Sequence, residues 1–217
     1  MLRCLRSDTC GWEFAIRGMR NPMNSWDKND SRWIDDDFGV WEYQIGPNDL
    51  KLAQKLVLAG SDHSKFLRMI HIQADIIAPM YWWKEADTYK VATVRNSCST
   101  MHKLMDRKLD ESDFSFEYCY TDNDTKEEIG YLVDILNNMR DDWLAEADLK
   151  KKKQIWYRII QMLPSSYNQR STIDISYQTA RNMYFARRDH KLQEWHQFID
   201  ILKTLPYAEE LIMIEYD

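Results

Sequence analysis

The sequence predicts an α+β fold in which helices pack around a small mixed or antiparallel sheet, and three observations carry this prediction. The chain has 217 residues, of which 44% are hydrophobic and 13% aromatic, enough for a packed core. Six glycines and five prolines are too few for an all-β fold with many tight turns. Apolar residues recur mostly at helical spacing, and two short segments alternate instead.

The first part of the chain is predicted as a long loop followed by a helix. Residues 19–48 are rich in Asn, Asp, Ser, Trp and Gly, which is typical of a polar loop with aromatic anchors. Asn48-Asp49 then caps a helix that ends at Gly60. The apolar positions of this helix are Leu50, Ala53, Leu56 and Val57.

The middle of the chain is predicted as a strand, a helix and an ordered loop. Residues 70–76 alternate strictly between apolar and polar side chains, which indicates a half-buried strand. Pro79 suits the first turn of a helix over 79–89. Residues 93–102 carry small polar side chains without a helical face, and we expect an ordered loop there.

The last part is predicted as a helix, a strand and two further helices. Apolar residues from Ile129 to Trp143 follow the helical period, and Lys150–Lys153 is interpreted as a solvated helix start or turn. A strand is expected at 172–176, followed by helices at 177–188 and 190–204. No repeat, low-complexity segment or linker interrupts the sequence, so residues 1–217 are predicted to form one domain.

The charge and the cysteine pattern exclude several classes of protein. Acidic residues outnumber basic ones by 35 to 29, which argues against general nucleic-acid binding. No apolar run approaches the roughly 20 residues that span a bilayer, and the first residues lack an apolar signal core, so we expect a cytoplasmic protein that does not bind membranes. No metal-binding pattern occurs among the five histidines, and no Cys-x-x-Cys pair or disulfide framework is expected among Cys4, Cys10, Cys98 and Cys119.

The stretch from Leu163 to Gln193 resembles the C-terminal half of the flavin-dependent thymidylate synthases, the ThyX family. In both, a Leu-Pro pair precedes a strand, and an arginine ends the following helix before a glutamine. Pro164 and Arg187 stand 23 residues apart, which agrees with the family's spacing. The resemblance implies that Asn182 and Gln193 contact flavin and that Arg187 holds a pyrimidine nucleotide.

The N-terminal half is similar to the family in the same order. Ser64 and Phe66 resemble its His-x-[Ser/Thr]-x-Phe turn at the flavin pyrophosphate. Residues 96–102 keep the Asn and the second Ser of the family signature but have Ser for Glu, Met for Arg and His for Tyr. Either Thr88-Tyr89-Lys90 or Tyr89-Lys90-Val91 stands where Arg-His-Arg is expected, and Ile160 replaces an arginine before the Leu-Pro pair. The resemblance covers roughly residues 50–205.

From this resemblance follows an expected activity: FAD-mediated transfer of a methylene group from a folate to C5 of dUMP, with reduction to the methyl by way of NADPH. The family also implies a homotetramer with sites shared between chains. The implied catalytic residues are Arg187 and Ser99, and the implied contacts to dUMP or a related pyrimidine nucleotide are Ser97, Ser99 and Arg187. The implied cofactor contacts are Ser64, Tyr89, Lys90, Asn96, Asn182 and Gln193.

The same residues also have interpretations that need no ligand. Arg187 lies near a helix C-terminus, where a cation is favoured by the helix dipole alone. Ser64 can cap a helix, and Cys98 is either a nucleophile or a small packed residue. Two alternatives to the enzyme therefore stay open: a diverged protein of the same fold that binds a nucleotide or flavin, and a structural or interaction protein with a vestigial pocket.

Overall fold

Eight α-helices are present in the computed structural model, which describes residues 1–35, 39, 41–117 and 123–216. Most of the apolar residues that recur at helical spacing in the sequence lie on the apolar faces of these helices. The helices are α1 (Trp12–Met19), α2 (Pro47–Leu58), α3 (Met80–Ala86), α4 (Thr100–Lys103), α5 (Asn123–Ala145), α6 (Leu149–Met162), α7 (Tyr177–Arg187) and α8 (Gln193–Lys203).

The strands form one sheet of four strands and one hairpin. The strands are β1 (Arg3–Cys10), β2 (Arg32–Asp35), β3 (Trp41–Gln44), β4 (His71–Pro79), β5 (Thr93–Ser97) and β6 (Asn168–Ser176). The larger sheet has the order β1-β4-β6-β5, and β2 pairs antiparallel with β3 so that Trp33 lies opposite Tyr43. The α+β prediction is confirmed.

Two compact units make up the chain, and neither is continuous in sequence. The first comprises Met1–Arg3, Ile76–Thr88 and Asn96–Ser171, and the second comprises Cys4–Asp75, Tyr89–Arg95 and Thr172–Asp217. Because the chain passes from one unit to the other several times, the units do not correspond to an N-terminal and a C-terminal domain. A single domain over 1–217 stays a prediction.

The core of the first unit is built by the long helices α5 and α6. Leu136 and Ile159 are each 1% exposed and belong to a cluster of buried apolar side chains. The stacked rings of Phe114 and Phe116, 5.2 Å apart, belong to the same cluster. Asp148 caps α6 by accepting hydrogen bonds from the backbone of Lys150 and Lys151, which fixes the lysine run as a helix start.

In the second unit, buried rings join the N-terminal helix to the C-terminal elements. Trp12 of α1 packs edge-on against Tyr177 of α7 at 5.0 Å and against Tyr207 at 5.6 Å. Gly11 precedes α1 with φ +88°, and a Cβ there would collide with the carbonyl of Met69, so only glycine fits this turn.

A buried ion pair fixes the segment that precedes α2. Arg20 Nε lies 2.5 Å from Asp49 Oδ1, and the two residues are 4% and 0% exposed. Asp49 Oδ2 also accepts hydrogen bonds from the backbone of Asp30 and Ser31. The carboxylate of Asp30 in turn accepts the backbone N–H groups of Asn48 and Asp49, so α2 is capped by a residue distant in sequence.

Several local predictions are corrected by these elements. Helix α2 begins at Pro47 after Gly46, so Asn48-Asp49 lies in its first turn and is not the cap. The predicted loop at 93–102 contains β5 and α4, and the predicted loop at 19–48 contains the β2–β3 hairpin and two short 3-10 turns. The predicted strands at 70–76 and 172–176 are confirmed and are longer than expected, and the helix predicted at 79–89 spans Met80–Ala86.

No helix among the residues with described coordinates is long and apolar enough to cross a bilayer. Cys4, Cys10 and Cys98 are free thiols, and Cys119 lies outside the described residues. Burial raises the pKa of the Cys10 thiol, and the carboxylates of Asp174 and Asp8 raise it further, so this thiol is not activated as a nucleophile.

Candidate functional site

Arg187, the residue predicted to hold a nucleotide, lies at the end of α7 and contacts two aromatic side chains. Its Nε donates a hydrogen bond of 3.0 Å to the hydroxyl of Tyr89. The guanidinium carbon lies 4.9 Å from the ring centre of Trp195 and 5.7 Å from that of Tyr89. Trp195 is fully buried, so the guanidinium rests on a rigid wall.

Local structure determines this arrangement. Ser176 caps α7 by accepting the backbone N–H of Thr179, and the Thr179 hydroxyl donates to the carbonyl of Val91 at 2.9 Å. This second bond holds the segment 89–95 against α7, which brings Tyr89 to Arg187. The neighbouring Arg188 forms an ion pair with Glu215 at 2.9 Å, so the two adjacent arginines have different environments.

Ser64 and Asn182, predicted from opposite halves of the sequence as flavin contacts, are joined through Gln178. The Ser64 hydroxyl donates to Gln178 Oε1 at 3.0 Å, and Gln178 Nε2 donates to Asn182 Oδ1 at 3.1 Å. Ser64 is only 2% exposed, whereas Asn182 is exposed. The described geometry therefore makes Ser64 a residue that orients the Gln178 and Asn182 amides.

An apolar groove of about 980 Å³ runs beside the turn that contains Ser64. Phe14 and Met69 on its wall are 72% and 43% exposed, and His63 and Lys65 add polar groups. Its volume and its apolar lining are those of a site for a large organic ligand.

The segment that resembles the family signature lies in the first unit. Asn96 and Ser97 are exposed in β5, and Ser99 directly precedes α4. The backbone N–H of Cys98 donates to the carbonyl of Arg170, and Gln169 Nε2 donates to the carbonyl of Cys98. These bonds hold the segment along β6.

Cys98 and Thr100 line a pocket of about 320 Å³ with three arginines, Arg3, Arg107 and Arg170. Burial raises the pKa of Tyr167 at its wall, and the Asp113 carboxylate raises it further. The lining also includes the carboxylate of Asp113, which pairs with Arg107. The remaining hydroxyl, amide and guanidinium groups suit an anion with polar substituents.

Some predicted site residues are therefore brought together and others are not. Arg187 contacts Tyr89, and Ser64 is linked to Asn182. Lys90 and Gln193 lie in the same unit and are exposed. Asn96, Ser97 and Ser99 belong to the other unit, so a pocket shared between them and Arg187 stays a prediction.

Sequence reasoning missed Gln178 and Trp195. Gln178 stands four residues before Asn182 on one helix, and this spacing places two amides on one face. Trp195 lies eight residues after Arg187 across a helix boundary, and no local pattern predicts their contact. In the described part of the chain no three His, Cys, Asp or Glu side chains converge on a metal site.

No protein-family model matches the sequence, and no curated protein matches it significantly. The fold is similar to a crystal structure of thymidylate synthase X (ThyX) from Helicobacter pylori with FAD and dUMP. The TM-score is 0.67 and the identity 17%, over 97% of this chain and 96% of that one. A second structure, flavin-dependent thymidylate synthase ThyX from Helicobacter pylori complexed with FAD and dUMP, gives a TM-score of 0.65 at 17% identity, over 97% of both chains. The chain therefore has a ThyX-like fold.

Proposed function

We propose that the protein is a flavoprotein that binds dUMP or a related pyrimidine nucleotide and methylates C5 of the pyrimidine, as a flavin-dependent thymidylate synthase does. Two crystal structures of similar fold, both of ThyX from Helicobacter pylori, contain FAD and dUMP, which supports the proposal. The observation that carries it is the pair of contacts on α7: Arg187 held by Tyr89 and Trp195, and Asn182 held through Gln178 by Ser64. Both predicted ligand-binding residues of this helix are thus positioned by neighbours.

The donor set fits these ligands chemically. A guanidinium forms charge-assisted hydrogen bonds to a phosphate or a pyrimidine carbonyl, and side-chain amides match the edge of a flavin or pyrimidine ring. When bound, FAD supplies the methylene and hydride chemistry, with a folate and NADPH as co-substrates. The chain itself then has to bind and orient its ligands and keep water out.

In this proposal Arg187 holds the nucleotide, and the hydroxyl of Tyr89 and the ring of Trp195 fix the guanidinium plane. Asn182 contacts the flavin with its amide oriented through Gln178. The hydroxyl groups of Ser97 and Ser99 bind the nucleotide phosphate.

Exposed residues complete the flavin contacts: Lys90, Asn96 and Gln193. The proposal includes a homotetramer in which residues of two chains complete one site. Light scattering tests the assembly, and a mass near four times 26.1 kDa is expected. A mass near 26.1 kDa at micromolar concentration, with and without FAD, would exclude a shared site. A cytoplasmic location belongs to the same proposal.

A second candidate function is binding without methylation. It is favoured by the segment 96–102, which has Ser97 where the family has Glu and Met101 where it has Arg. Loss of a carboxylate and a guanidinium removes charged contacts to the ligands while leaving the fold intact. Tritium release from C5-labelled dUMP in the presence of FAD and a folate separates the two functions, because binding alone releases none.

Calorimetry with dUMP on Arg187→Ala and Arg188→Ala tests the nucleotide site. We expect Arg187→Ala to weaken binding by about 1.5–3 kcal/mol, the contribution of a charged hydrogen bond. Arg188→Ala removes the same charge one residue away and should leave the affinity unchanged. Equal affinity of both variants and the wild type would refute the role of Arg187. No dUMP binding by the folded wild-type protein would favour a structural or interaction role.

A further inference from the structure

A second pocket of about 270 Å³ is lined by α1, the β2–β3 hairpin and the segment between them. It contains none of the residues assigned above to nucleotide or flavin binding. Most of its wall is formed by three arginines and three aromatic residues: Arg17, Arg20, Arg32, Trp26, Trp33 and Tyr43. Glu13 adds a carboxylate. Its volume lies just below the range of sites for drug-sized ligands, so it suits one ring with one anionic group.

The three arginines differ in how their charge is balanced. Arg20 is buried and paired with Asp49, so its charge is neutralised within the protein. Arg17 and Arg32 are exposed and form no ion pair among the described residues. Two guanidiniums that pair with no carboxylate in the described part of the chain are thus concentrated in one pocket of a protein whose net charge is −6. Such a pair attracts an anion, and guanidinium donors match phosphate and carboxylate geometry.

The carboxylate in the pocket does not cancel these charges by pairing. Glu13 Oε2 accepts a hydrogen bond of 3.1 Å from the indole N–H of Trp33. The Glu13 carboxylate therefore anchors a ring, and the lining as a whole stays positive.

The rings of the pocket are both accessible and fixed in orientation. Trp26 and Trp33 are 49% and 47% exposed. The indole N–H of Trp26 donates to Asn21 Oδ1 at 2.7 Å, and Trp33 packs edge-on against Tyr43 at 5.3 Å. Rings held in this way lose little freedom when a ligand stacks on them, which favours binding.

We propose that this pocket is a binding site for a small anion that carries a planar ring, of the class of a nucleoside monophosphate. Arg17 and Arg32 bind the anionic group, and Trp26 and Trp33 contact the ring. The site is separate from the nucleotide site assigned to Arg187, and the proposal does not depend on that function.

The test is calorimetry with AMP on the Arg187→Ala variant, in which the other nucleotide site is disabled. We expect saturable AMP binding there with the affinity of the wild type. Adding Arg17→Ala or Arg32→Ala should weaken it about tenfold or more, the loss expected for one charged hydrogen bond. Arg68→Ala is the matched control: Arg68 is an exposed arginine of the same unit that does not line the pocket, and its loss should change nothing.

Two further probes check the anion and the ring separately. Adenosine and inorganic phosphate should each bind at least tenfold more weakly than AMP, because each lacks one of the two recognised groups. The inference is overturned if AMP does not bind up to millimolar concentration, or if folded Arg17→Ala and Arg32→Ala bind it like Arg68→Ala. It is also overturned if phosphate alone binds as tightly as AMP, or if Arg187→Ala abolishes AMP binding.

Discussion

The two arginine-lined pockets, one in each unit, each contain guanidiniums that are held differently, and Arg17 and Arg32 in one contrast with Arg107 in the other. In the second unit, Arg17 and Arg32 form no ion pair within the described chain, and indole rings form the wall. In the first unit, Arg107 donates two hydrogen bonds to the carboxylate of Asp113, and amide and hydroxyl groups also line the pocket wall. The hydrogen bonds that Arg107 donates to the Asp113 carboxylate raise the pKa of Arg107, because they stabilise its charged form.

This difference separates structural arginines from those that can bind a ligand. A guanidinium that is already paired with a carboxylate offers less to an anion, since the ligand has to compete with the existing bond. Counting arginines around a pocket is therefore a poor guide to its ligand. Whether a guanidinium can bind an anion depends on the partner that it already has, and the fold determines that partner.

The largest effect is expected for the buried pair of Arg20 and Asp49, which supports the pocket lined by Arg17 and Arg32, here called the Arg17 pocket. Arg20→Ala leaves the Asp49 carboxylate buried without its guanidinium, which should lower the free energy of unfolding by about 3–5 kcal/mol. Urea unfolding followed by circular dichroism measures it. A loss below 1 kcal/mol would mean that the backbone hydrogen bonds to Asp49 suffice without Arg20.

A smaller effect is expected where Arg107 is released. Asp113 also accepts the backbone N–H of Asp110 in a capping box, so Asp113→Asn should cost about 1–2 kcal/mol of unfolding free energy. The same change frees Arg107, and the affinity for inorganic phosphate should rise. Calorimetry with phosphate checks this second result. Unchanged phosphate affinity would show that pairing does not limit this pocket.

The loop that carries the Arg17 pocket should respond to pH through Asp30. Burial acts to raise the pKa of Asp30, but the N–H groups of Asn48 and Asp49 outweigh it, so the pKa is lowered. A lowered pKa means that the carboxylate stabilises the fold above its unfolded pKa near 4 and loses this contribution as pH falls through its folded value. Asp30→Ala should cost about 0.5–1 kcal/mol at neutral pH.

Unfolding curves of Asp30→Ala and the wild type at neutral and acidic pH measure this dependence. The difference between them should begin to shrink as the pH falls below about 4, and it should be lost once the pH is below the lowered pKa of the folded carboxylate. A difference that stays constant down to pH 2 would contradict the capping role.

The smallest effects on stability are expected for the unpaired arginines themselves. Arg17→Ala and Arg32→Ala remove exposed side chains that form no ion pair with any described residue, so the unfolding free energy should change by no more than about 0.5 kcal/mol. Thermal unfolding of each variant beside Arg68→Ala measures this. A loss above 2 kcal/mol would mark Arg17 or Arg32 as structural.

Elements that bury one face were predictable from the sequence. Strand β4 alternates buried Ile72, Ala74 and Ile76 with polar residues, and this alternation is plain in the amino-acid sequence itself. Strand β1 was missed because its residues are mostly exposed and carry no apolar face. The β2–β3 hairpin was missed for a similar reason, since Trp33 and Trp41 are exposed on it. Such strands are held in place by backbone hydrogen bonds to their neighbours, and the alternation of apolar and polar residues in a sequence does not indicate these bonds.

The candidate site was predictable only in part. Arg187 and Asn182 follow from a spacing along one helix, but their neighbours Tyr89 and Ser64 come from sequence positions about a hundred residues away. Asp49 was predicted as a helix cap and is the buried partner of Arg20, 29 residues earlier. Contacts of this range depend on how the elements pack, and a local pattern does not contain them.

The central claim, that the protein is a flavoprotein, is tested most directly by an absorbance spectrum after incubation with FAD and removal of unbound cofactor. We expect the visible bands of bound flavin at a stoichiometry near one FAD per chain, and a clear loss of flavin in Asn182→Ala. Arg68→Ala, which removes an exposed side chain elsewhere, should bind FAD like the wild type. A colourless wild-type protein, folded and assembled but without flavin bands, would contradict the account.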